Sequence, residues 1–231
     1  MGGLGKEVAE DDGLEIVSPV PESLYDQAIH HLRFNFFPDE PLNRCVGLCP
    51  VRGQPHPLLE EHTLHTLADG LSVVALDTAN DNKVVGIAVN GILKPGDMTA
   101  AQEKLETTTD VKFKRIFGLL YSVSDSLDLF NKYDVDKIFE CRILSVDRGY
   151  RGRRLGERLL DHSHKVAKEH DFKVLKGDST GLYSQKILAK LGYQSVYQLL
   201  YKDYLGEDGN PVFDTEEPHT CLKIMIKTMD D

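Results

Sequence analysis

Residues 139–156 read Phe-Glu-Cys-Arg-Ile-Leu-Ser-Val-Asp-Arg-Gly-Tyr-Arg-Gly-Arg-Arg-Leu-Gly, and this stretch decides the fold. Apolar residues alternate at 139, 141 and 143, then the alternation slips by one residue and resumes at 144 and 146. A period of two that slips by one predicts a strand with a β-bulge. Such a bulge splays a strand from its neighbour and frees backbone groups for an extended ligand. A fully buried strand with loose patterning is an equally good interpretation of this segment alone.

The strand runs into a loop rich in glycine and arginine, and then into a helix with Leu155, Leu159, His162 and Val166 along one face. Strand, loop and helix in this order surround a phosphate with free N–H groups and a helix N-terminus. The arginines add donors for a diphosphate or a 3′-phosphate. The alternative is a solvated basic first turn, but positive charge at a helix N-terminus is unfavourable without an anion. The segment therefore favours an anion site.

Predicted strands and helices alternate along the rest of the chain, and no linker divides it. Strands are predicted at 14–20, 72–77, 83–93, 138–146, 172–176, 194–201 and 221–227, and helices at 23–34, 57–69, 110–131, 152–169 and 182–191. The segment 36–43 contains two prolines and is predicted to be a turn or loop. We expect a disordered tail at 1–12, followed by one α/β domain over 13–231 with a central mixed sheet flanked by helices.

The composition is that of a globular protein, with 41% hydrophobic and 28% charged residues. The net charge of −10 argues against nucleic acid as a partner, because nucleic-acid binding needs a basic surface. The sequence has neither an apolar run of membrane-spanning length nor a signal-peptide core. Its four cysteines are scattered and complete no zinc set. We expect a cytoplasmic monomer with reduced thiols, no membrane association and no metal.

Two further segments contain candidate catalytic residues. Residues 179–193 read Ser-Thr-Gly-Leu-Tyr-Ser-Gln-Lys-Ile-Leu-Ala-Lys-Leu-Gly-Tyr, and residues 36–43 read Phe-Phe-Pro-Asp-Glu-Pro-Leu-Asn. Thr180 and Ser184 are one helical turn apart, so their hydroxyls can face one spot. Their alternative roles are helix capping for Thr180 and an exposed surface position for Ser184. The alternative role of Glu40 is to order a proline-rich turn.

These segments resemble known enzymes. Residues 144–156 are similar to the loop of the GNAT superfamily of N-acetyltransferases, Arg/Gln-x-x-Gly-x-Gly/Ala, which follows a bulged fourth strand and holds the coenzyme A diphosphate. Arg151 and Gly156 are in register, whereas Arg154 stands at the usual central glycine. Residues 179–193 resemble the GNAT helix beside the thioester. Residues 36–43 are similar to the Phe-Phe-x-Asp-Glu-Pro-Leu-Asn signature of the insect arylalkylamine N-acetyltransferases, and the resemblance extends over roughly 14–228.

The resemblance implies the GNAT fold, acetyl-coenzyme A as co-substrate and acetyl transfer to a small arylalkylamine such as tyramine, dopamine or serotonin. It implies Glu40 as the general base and Thr180 and Ser184 as assisting hydroxyls. It also places Phe36, Phe37 and His219 at the amine, although packing is an equally good role for His219. The residues implied for coenzyme A are Leu144, Ser145, Val146, Arg151, Gly152, Arg153, Arg154, Leu155, Gly156, Tyr183 and Lys190.

Two alternatives remain open at the level of sequence. The first keeps the fold and changes the acceptor to a polyamine such as agmatine, or the acyl group to a longer one. Acidic side chains deep in the acceptor pocket favour a polyamine and an aromatic lining favours an arylalkylamine, but the sequence contains both and does not place them. The second alternative is a module that binds acyl-coenzyme A without turnover.

Overall fold

The computed structural model describes residues 5–7 and 13–229. Its strands form one sheet in the order β1-β2-β3-β4-β5-β6-β8-β7. Neighbouring strands are antiparallel except for β5 and β6, which are parallel. The strands are β1 Gly5–Glu7, β2 Leu14–Ser18, β3 Val73–Asp77, β4 Lys83–Leu93, β5 Ile138–Val146, β6 Val174–Ser179, β7 Gln194–Leu200 and β8 Cys221–Thr228.

Helices cover both faces of this sheet. They are α1 Tyr25–Asn35, α2 Pro41–Val46, α3 Pro57–Leu67, α4 Asp97–Thr107, α5 Val111–Ser126, α6 Leu129–Tyr133, α7 Leu155–Glu169 and α8 Leu182–Lys190. One apolar cluster joins the sheet to α1, α2, α3 and α5, and a second joins it to α7 and α8. The predicted α/β fold with a central mixed sheet is therefore confirmed. Within the described residues, no helix is long and apolar enough to cross a membrane.

The predicted bulge in β5 is also confirmed. Val89 pairs with Ile143 and Asn90 with Cys141, so Arg142 is the extra residue of the bulge. The bulge lies one residue earlier than the slip in the sequence pattern. The parallel pairing of β5 with β6 extends only from Phe139 to Cys141, and beyond that point the two strands part. The separation opens one edge of β5 to a cleft.

The structure differs from the sequence predictions in three helical regions. Helix α2 begins inside the predicted loop at Pro41, which stands in the first turn, where a proline loses no hydrogen bond. The single helix predicted at 110–131 is two helices, because Asp128 adopts a left-handed φ of 44° between α5 and α6. Helix α4 was not predicted, since its only buried residue is Leu105 and its apolar periodicity is weak.

The predicted disordered tail at 1–12 lies outside the described residues except for Gly5–Glu7. These three residues form β1, which pairs antiparallel with Ile16–Ser18 of β2. A strand of three residues has too little sequence for an alternating pattern to be recognised.

Candidate active site

A cleft of about 1410 Å³ opens where β5 and β6 part. It is lined by the loop before α2, by α3 and α5, by the second half of β5, by the loop before α7 and by the start of α8. Of the residues predicted for the site, Arg153 and Lys190 do not line this cleft, and the others do. Segments that are far apart in the chain thus meet around one cavity.

Glu40 connects two of these segments through its carboxylate. Its Oε1 accepts a hydrogen bond of 2.6 Å from the Thr180 hydroxyl, and its Oε2 accepts one of 2.6 Å from the backbone N–H of Asn43. Burial raises the pKa of Glu40, although these hydrogen bonds act in the opposite direction. Glu40 therefore caps α2, as its alternative role requires, and also presents to the cleft a carboxyl group whose proton affinity is increased.

The two predicted hydroxyls lie near each other but have different partners. Thr180 follows the end of β6, and its carbonyl accepts a hydrogen bond of 2.7 Å from the Tyr201 hydroxyl. Gly181, and not Thr180, is the N-cap of α8. The Ser184 hydroxyl donates to the Gly181 carbonyl at 2.9 Å and makes no hydrogen bond with Glu40. Both side chains face the cleft, but only Thr180 contacts the carboxylate.

His219 supports the start of α8. Its Nδ1 accepts a hydrogen bond of 3.2 Å from the backbone N–H of Leu182, and its ring meets Tyr183 edge-on at 5.5 Å. A Cβ added to Gly181 would lie 2.9 Å from this nitrogen, so the close approach requires glycine. Burial lowers the pKa of His219, which keeps the imidazole neutral and able to accept this hydrogen bond. Its position agrees with the packing alternative.

The loop before α7 presents unused N–H groups. In the described part of the chain, the backbone N–H groups of residues 152–157 have no hydrogen-bond acceptor. Arg154 is the N-cap of α7 and adopts a left-handed φ of 57°, a conformation that glycine adopts without strain. Its side chain points to the surface and pairs with Glu157 at 2.8 Å. The Arg154 backbone therefore adopts the conformation that glycine would have at this position, and its guanidinium pairs with Glu157 at the surface.

The remaining basic residues of this region have their own partners. The Arg153 guanidinium lies over the Tyr150 ring, 5.3 Å from its centroid. Lys190 pairs with Glu157 at 2.7 Å, on the surface beside α7. Arg151 donates through Nε to the Val146 carbonyl at 3.1 Å. Only Arg151 among these side chains reaches the open edge of β5.

The open edge of β5 also carries free backbone groups. The N–H of Asp147 donates to the Val85 carbonyl of β4 at 2.8 Å. Because hydrogen bonds alternate along an antiparallel ladder, the N–H and C=O groups of Ser145 point to β4, and those of Leu144 and Val146 point to the cleft. The Ser145 hydroxyl makes a hydrogen bond of 2.9 Å with His31 of α1. The contribution of this strand to the cleft is therefore mainly its backbone.

Helix α5 forms an aromatic wall that the sequence analysis did not identify. Phe113 and Phe117 stack with ring centroids 4.1 Å apart, and Phe117 and Tyr121 lie 5.5 Å apart. Their spacing of four residues, visible in the sequence, places the three rings on one helical face. The apolar periodicity of α5 identifies the face that packs in the core. It does not show which helix borders a cavity, and the aromatic face was therefore not recognised.

A network of charged side chains lies where β5 and β6 part. Lys176 is fully buried and pairs with Glu140 at 2.5 Å and with Asp178 at 2.6 Å, while Arg142 pairs with Glu140 at 2.9 Å. Burial acts to raise the pKa of Glu140, but Lys176 and Arg142 outweigh it and lower that pKa to about 2. Glu140 and Asp178 are thus paired with cations of the protein itself, although burial raises the pKa of Asp178.

Comparison with known proteins places this arrangement among acetyltransferases, although no protein-family model matches the chain. Arylalkylamine N-acetyltransferase 2 from Aedes aegypti is 43% identical, covers 95% of this chain and 100% of its own, and superposes with a TM-score of 0.90. The mosquito arylalkylamine N-acetyltransferase like 5b is 29% identical over 94% of this chain and 100% of its own, with a TM-score of 0.83. The polyamine N-acetyltransferase of Drosophila melanogaster is 24% identical over 94% of this chain and 100% of its own, with a TM-score of 0.81, and shares the fold.

The Thr180 hydrogen bond leads to a prediction about the Glu40 carboxyl group. Thr180→Val keeps the shape of the side chain and removes the donor that lowers the pKa of Glu40, so that pKa is expected to rise further. Thr180→Ser keeps the hydroxyl and is expected to leave the pKa unchanged. The measurement is an NMR titration of the ¹³C-labelled glutamate carboxyl groups. A Thr180→Val protein in which the Glu40 midpoint is unchanged or lower would show that this hydrogen bond does not control the carboxylate.

Proposed function

Because this chain belongs to the GNAT superfamily, within the family of the insect arylalkylamine N-acetyltransferases, we propose that it acetylates the primary amine of a small arylalkylamine with acetyl-coenzyme A. Tyramine, dopamine and serotonin are the proposed acceptors. The observation that carries the proposal is the position of Glu40, whose carboxyl group of raised pKa lies in the same cleft as the open edge of β5 and the aromatic wall of α5.

The open edge of β5 and the loop before α7 fit acetyl-coenzyme A. We place the amide-bearing pantetheine arm along the free backbone groups of Leu144 and the free N–H of Val146, whose carbonyl accepts from Arg151. The diphosphate then accepts hydrogen bonds from the N–H groups of residues 152–157 at the start of α7, and Arg151 lies beside it. Gly156 supports this placement, since a Cβ there would lie 3.3 Å from Ile187 and fill part of the space.

Glu40 supplies the base that the reaction needs. An alkylamine is mostly protonated at pH 7 and attacks a carbonyl carbon only when neutral. Glu40 attracts the ammonium and accepts its proton, directly or through water, because burial has raised the proton affinity of this carboxylate. The amine nitrogen then forms a bond to the thioester carbon, and N–H groups at the open edge of β5 stabilise the oxyanion.

Collapse of the tetrahedral intermediate completes the transfer. The C–S bond breaks, the sulfur leaves as a thiolate, and a hydroxyl at the start of α8 donates a proton to it. Tyr183 and, once its hydroxyl turns from the Gly181 carbonyl, Ser184 are the candidates for this donor, since the Thr180 hydroxyl is bonded to Glu40. The nitrogen loses a second proton as the amide forms, and this proton, relayed through water, restores the hydroxyl that protonated the sulfur. The products are the N-acetyl amine and free coenzyme A, and the net proton passes to solvent through Glu40.

We assign the part of the cleft lined by Phe36 and α5 to the amine and call it the acceptor half. Its lining favours an aromatic amine over a polyamine. Phe36 and the rings of α5 offer apolar area to an aromatic group. A second ammonium would need an acid, and Glu140 and Asp178 are already paired with Lys176. Asp69 and Asp97, which also line the cleft, accept hydrogen bonds from backbone N–H groups. Glu61 at the rim is paired with Lys104. Membership of an acetyltransferase family and the retained Glu40 also argue against a module that binds acyl-coenzyme A without turnover.

A panel of amines tests the acceptor class. Thiol release from acetyl-coenzyme A is followed with tyramine, dopamine, serotonin, agmatine and spermidine, and kcat/KM is compared. We expect the three arylalkylamines to react with the higher values, because their rings are desolvated against the aromatic wall. Longer acyl-coenzyme A donors are compared in the same assay. Preference for agmatine or spermidine would assign the protein to the polyamine alternative, and inactivity with every amine would support the binding module.

Replacing the proposed base gives the second prediction. Glu40→Gln keeps a carbonyl oxygen that can accept from the N–H of Asn43 but removes the basicity. Turnover near neutral pH is expected to fall at least about a hundredfold, the scale of one general base, with binding of acetyl-coenzyme A unchanged. The loss is expected to shrink as the pH approaches the pKa of the amine, because the solution then supplies neutral amine.

Glu216→Gln is the matched control, since Glu216 is an exposed acid that does not itself line the cleft, although it pairs with Arg44, which does. It is expected to keep full turnover. If Glu40 only orders its turn, Glu40→Gln would lower the melting temperature and reduce activity equally at every pH. That pattern would remove Glu40 from the chemistry.

The proposed diphosphate site gives a prediction about coenzyme A binding. Coenzyme A is expected to raise the melting temperature of the parent protein, and Gly156→Trp is expected to abolish this protection by filling the space beside Ile187. Gly156→Ala, a smaller change, is expected to weaken it. Arg154→Gly is the control, because the Arg154 guanidinium pairs with Glu157 and glycine accepts the same φ. Equal protection of parent and Gly156→Trp would contradict the placement.

A further inference from the structure

His62 and Tyr121 both contact the Phe117 ring. His62, on α3, meets this ring edge-on with centroids 5.5 Å apart, and Tyr121, on α5, is tilted against it at 5.5 Å. All three side chains line the cleft that contains Glu40. The aromatic wall therefore includes two polar groups, an imidazole and a phenol, beside an apolar ring.

Neither polar group has a partner within the protein. Among residues 13–229, no side chain or backbone group forms a hydrogen bond with the His62 imidazole or the Tyr121 hydroxyl. Their charged neighbours, Arg142 and Glu140, are paired with each other, and Glu140 also with Lys176. Both side chains are partly exposed at the wall of the cleft. Polar groups that lack a protein partner and face one cavity are positioned to bind a polar group of a ligand.

Both groups are neutral near pH 7. Burial lowers the pKa of His62 to about 4, with Arg142 acting in the same direction. Burial raises the pKa of Tyr121 to about 12. A neutral imidazole has one nitrogen that accepts, and a phenol hydroxyl both donates and accepts. The pair therefore suits an uncharged hydroxyl and does not suit an ammonium, for which a carboxylate is the natural partner.

We propose that His62 and Tyr121 bind the ring hydroxyl of a hydroxylated arylalkylamine, while Phe117 packs against its ring. The ligand hydroxyl donates to the free nitrogen of His62 and accepts from the Tyr121 hydroxyl. The proposal rests on the proposed function, because it assigns the ring end of the same acceptor site. It makes the two residues determinants of specificity for phenolic and hydroxyindole amines over amines with an unsubstituted ring.

The expected discrimination follows from hydrogen-bond energetics. An amine without the hydroxyl leaves both protein groups desolvated and unpaired, which costs more than the bonds contribute when made. One hydrogen bond between neutral groups changes affinity by roughly five- to tenfold. A site with two of them is expected to favour the hydroxylated amine by at least about tenfold in kcat/KM.

The experiment compares tyramine with 2-phenylethylamine, which differ only in the para hydroxyl, at saturating acetyl-coenzyme A. The parent protein is expected to prefer tyramine by about tenfold or more. Tyr121→Phe removes one hydroxyl and is expected to lower kcat/KM for tyramine about five- to tenfold, mainly through KM. The value for 2-phenylethylamine is expected to stay unchanged. His62→Phe is expected to act in the same way.

Two further variants separate recognition from packing. Leu64→Phe places the same ring at an exposed position of the same helix that does not line the cleft, and it is expected to leave the ratio of the two amines unchanged. Phe117→Leu is expected to lower kcat/KM for both amines alike. Equal kcat/KM values for the two amines in the parent, or equal losses for both in Tyr121→Phe, would overturn the proposal. Inactivity of the parent with both amines would instead count against the proposed function.

Discussion

The hydrogen bond from the Thr180 hydroxyl to the Glu40 carboxylate joins segments that are 140 residues apart in the chain. A carboxylate removed from water is costly unless hydrogen bonds compensate for the lost solvation. Thr180 and the N–H of Asn43 supply two such bonds, and the Tyr201 hydroxyl in turn fixes the Thr180 carbonyl. The loop before α2 is thereby held against the end of β6. Without this contact, the proposed base and the open edge of β5 would belong to separately positioned elements.

The cleft in which we propose that the substrates bind is a consequence of how β5 and β6 part. Their parallel pairing ends at Cys141, and the next residue, Arg142, is the bulge. Its guanidinium is fixed by Glu140, by the Thr66 hydroxyl at 2.9 Å and by the Ile92 carbonyl at 3.2 Å. Buried charges are stable only when they are paired and hydrogen-bonded. The charged network therefore keeps the end of the paired region defined, and it leaves the aromatic wall free to determine which amine fits.

The parts of the site that the sequence predicted are the ones encoded locally. Both ends of β5 and its bulge follow from a pattern within nine residues, and the family follows from short motifs at 36–43 and 144–156. The aromatic wall was missed because its position depends on how α5 packs. The pairing of Glu140 with Lys176 was missed because it depends on the register of two strands, which no local pattern contains. His62 contacts the Phe117 ring only through the packing of α3 against α5.

Asp39 and Glu40 are adjacent in one loop, but their surroundings shift their pKa values in opposite directions. Asp39 and Glu40 are both shielded from water, which acts to raise both pKa values. For Asp39 this effect is outweighed by Arg52 and Arg148, which donate to its carboxylate, and its pKa falls. Glu40 has only neutral donors, so burial dominates and its pKa rises. Asp39 therefore stays ionised and ties the loop to the segment before α7, while Glu40 retains the affinity for a proton that a general base requires.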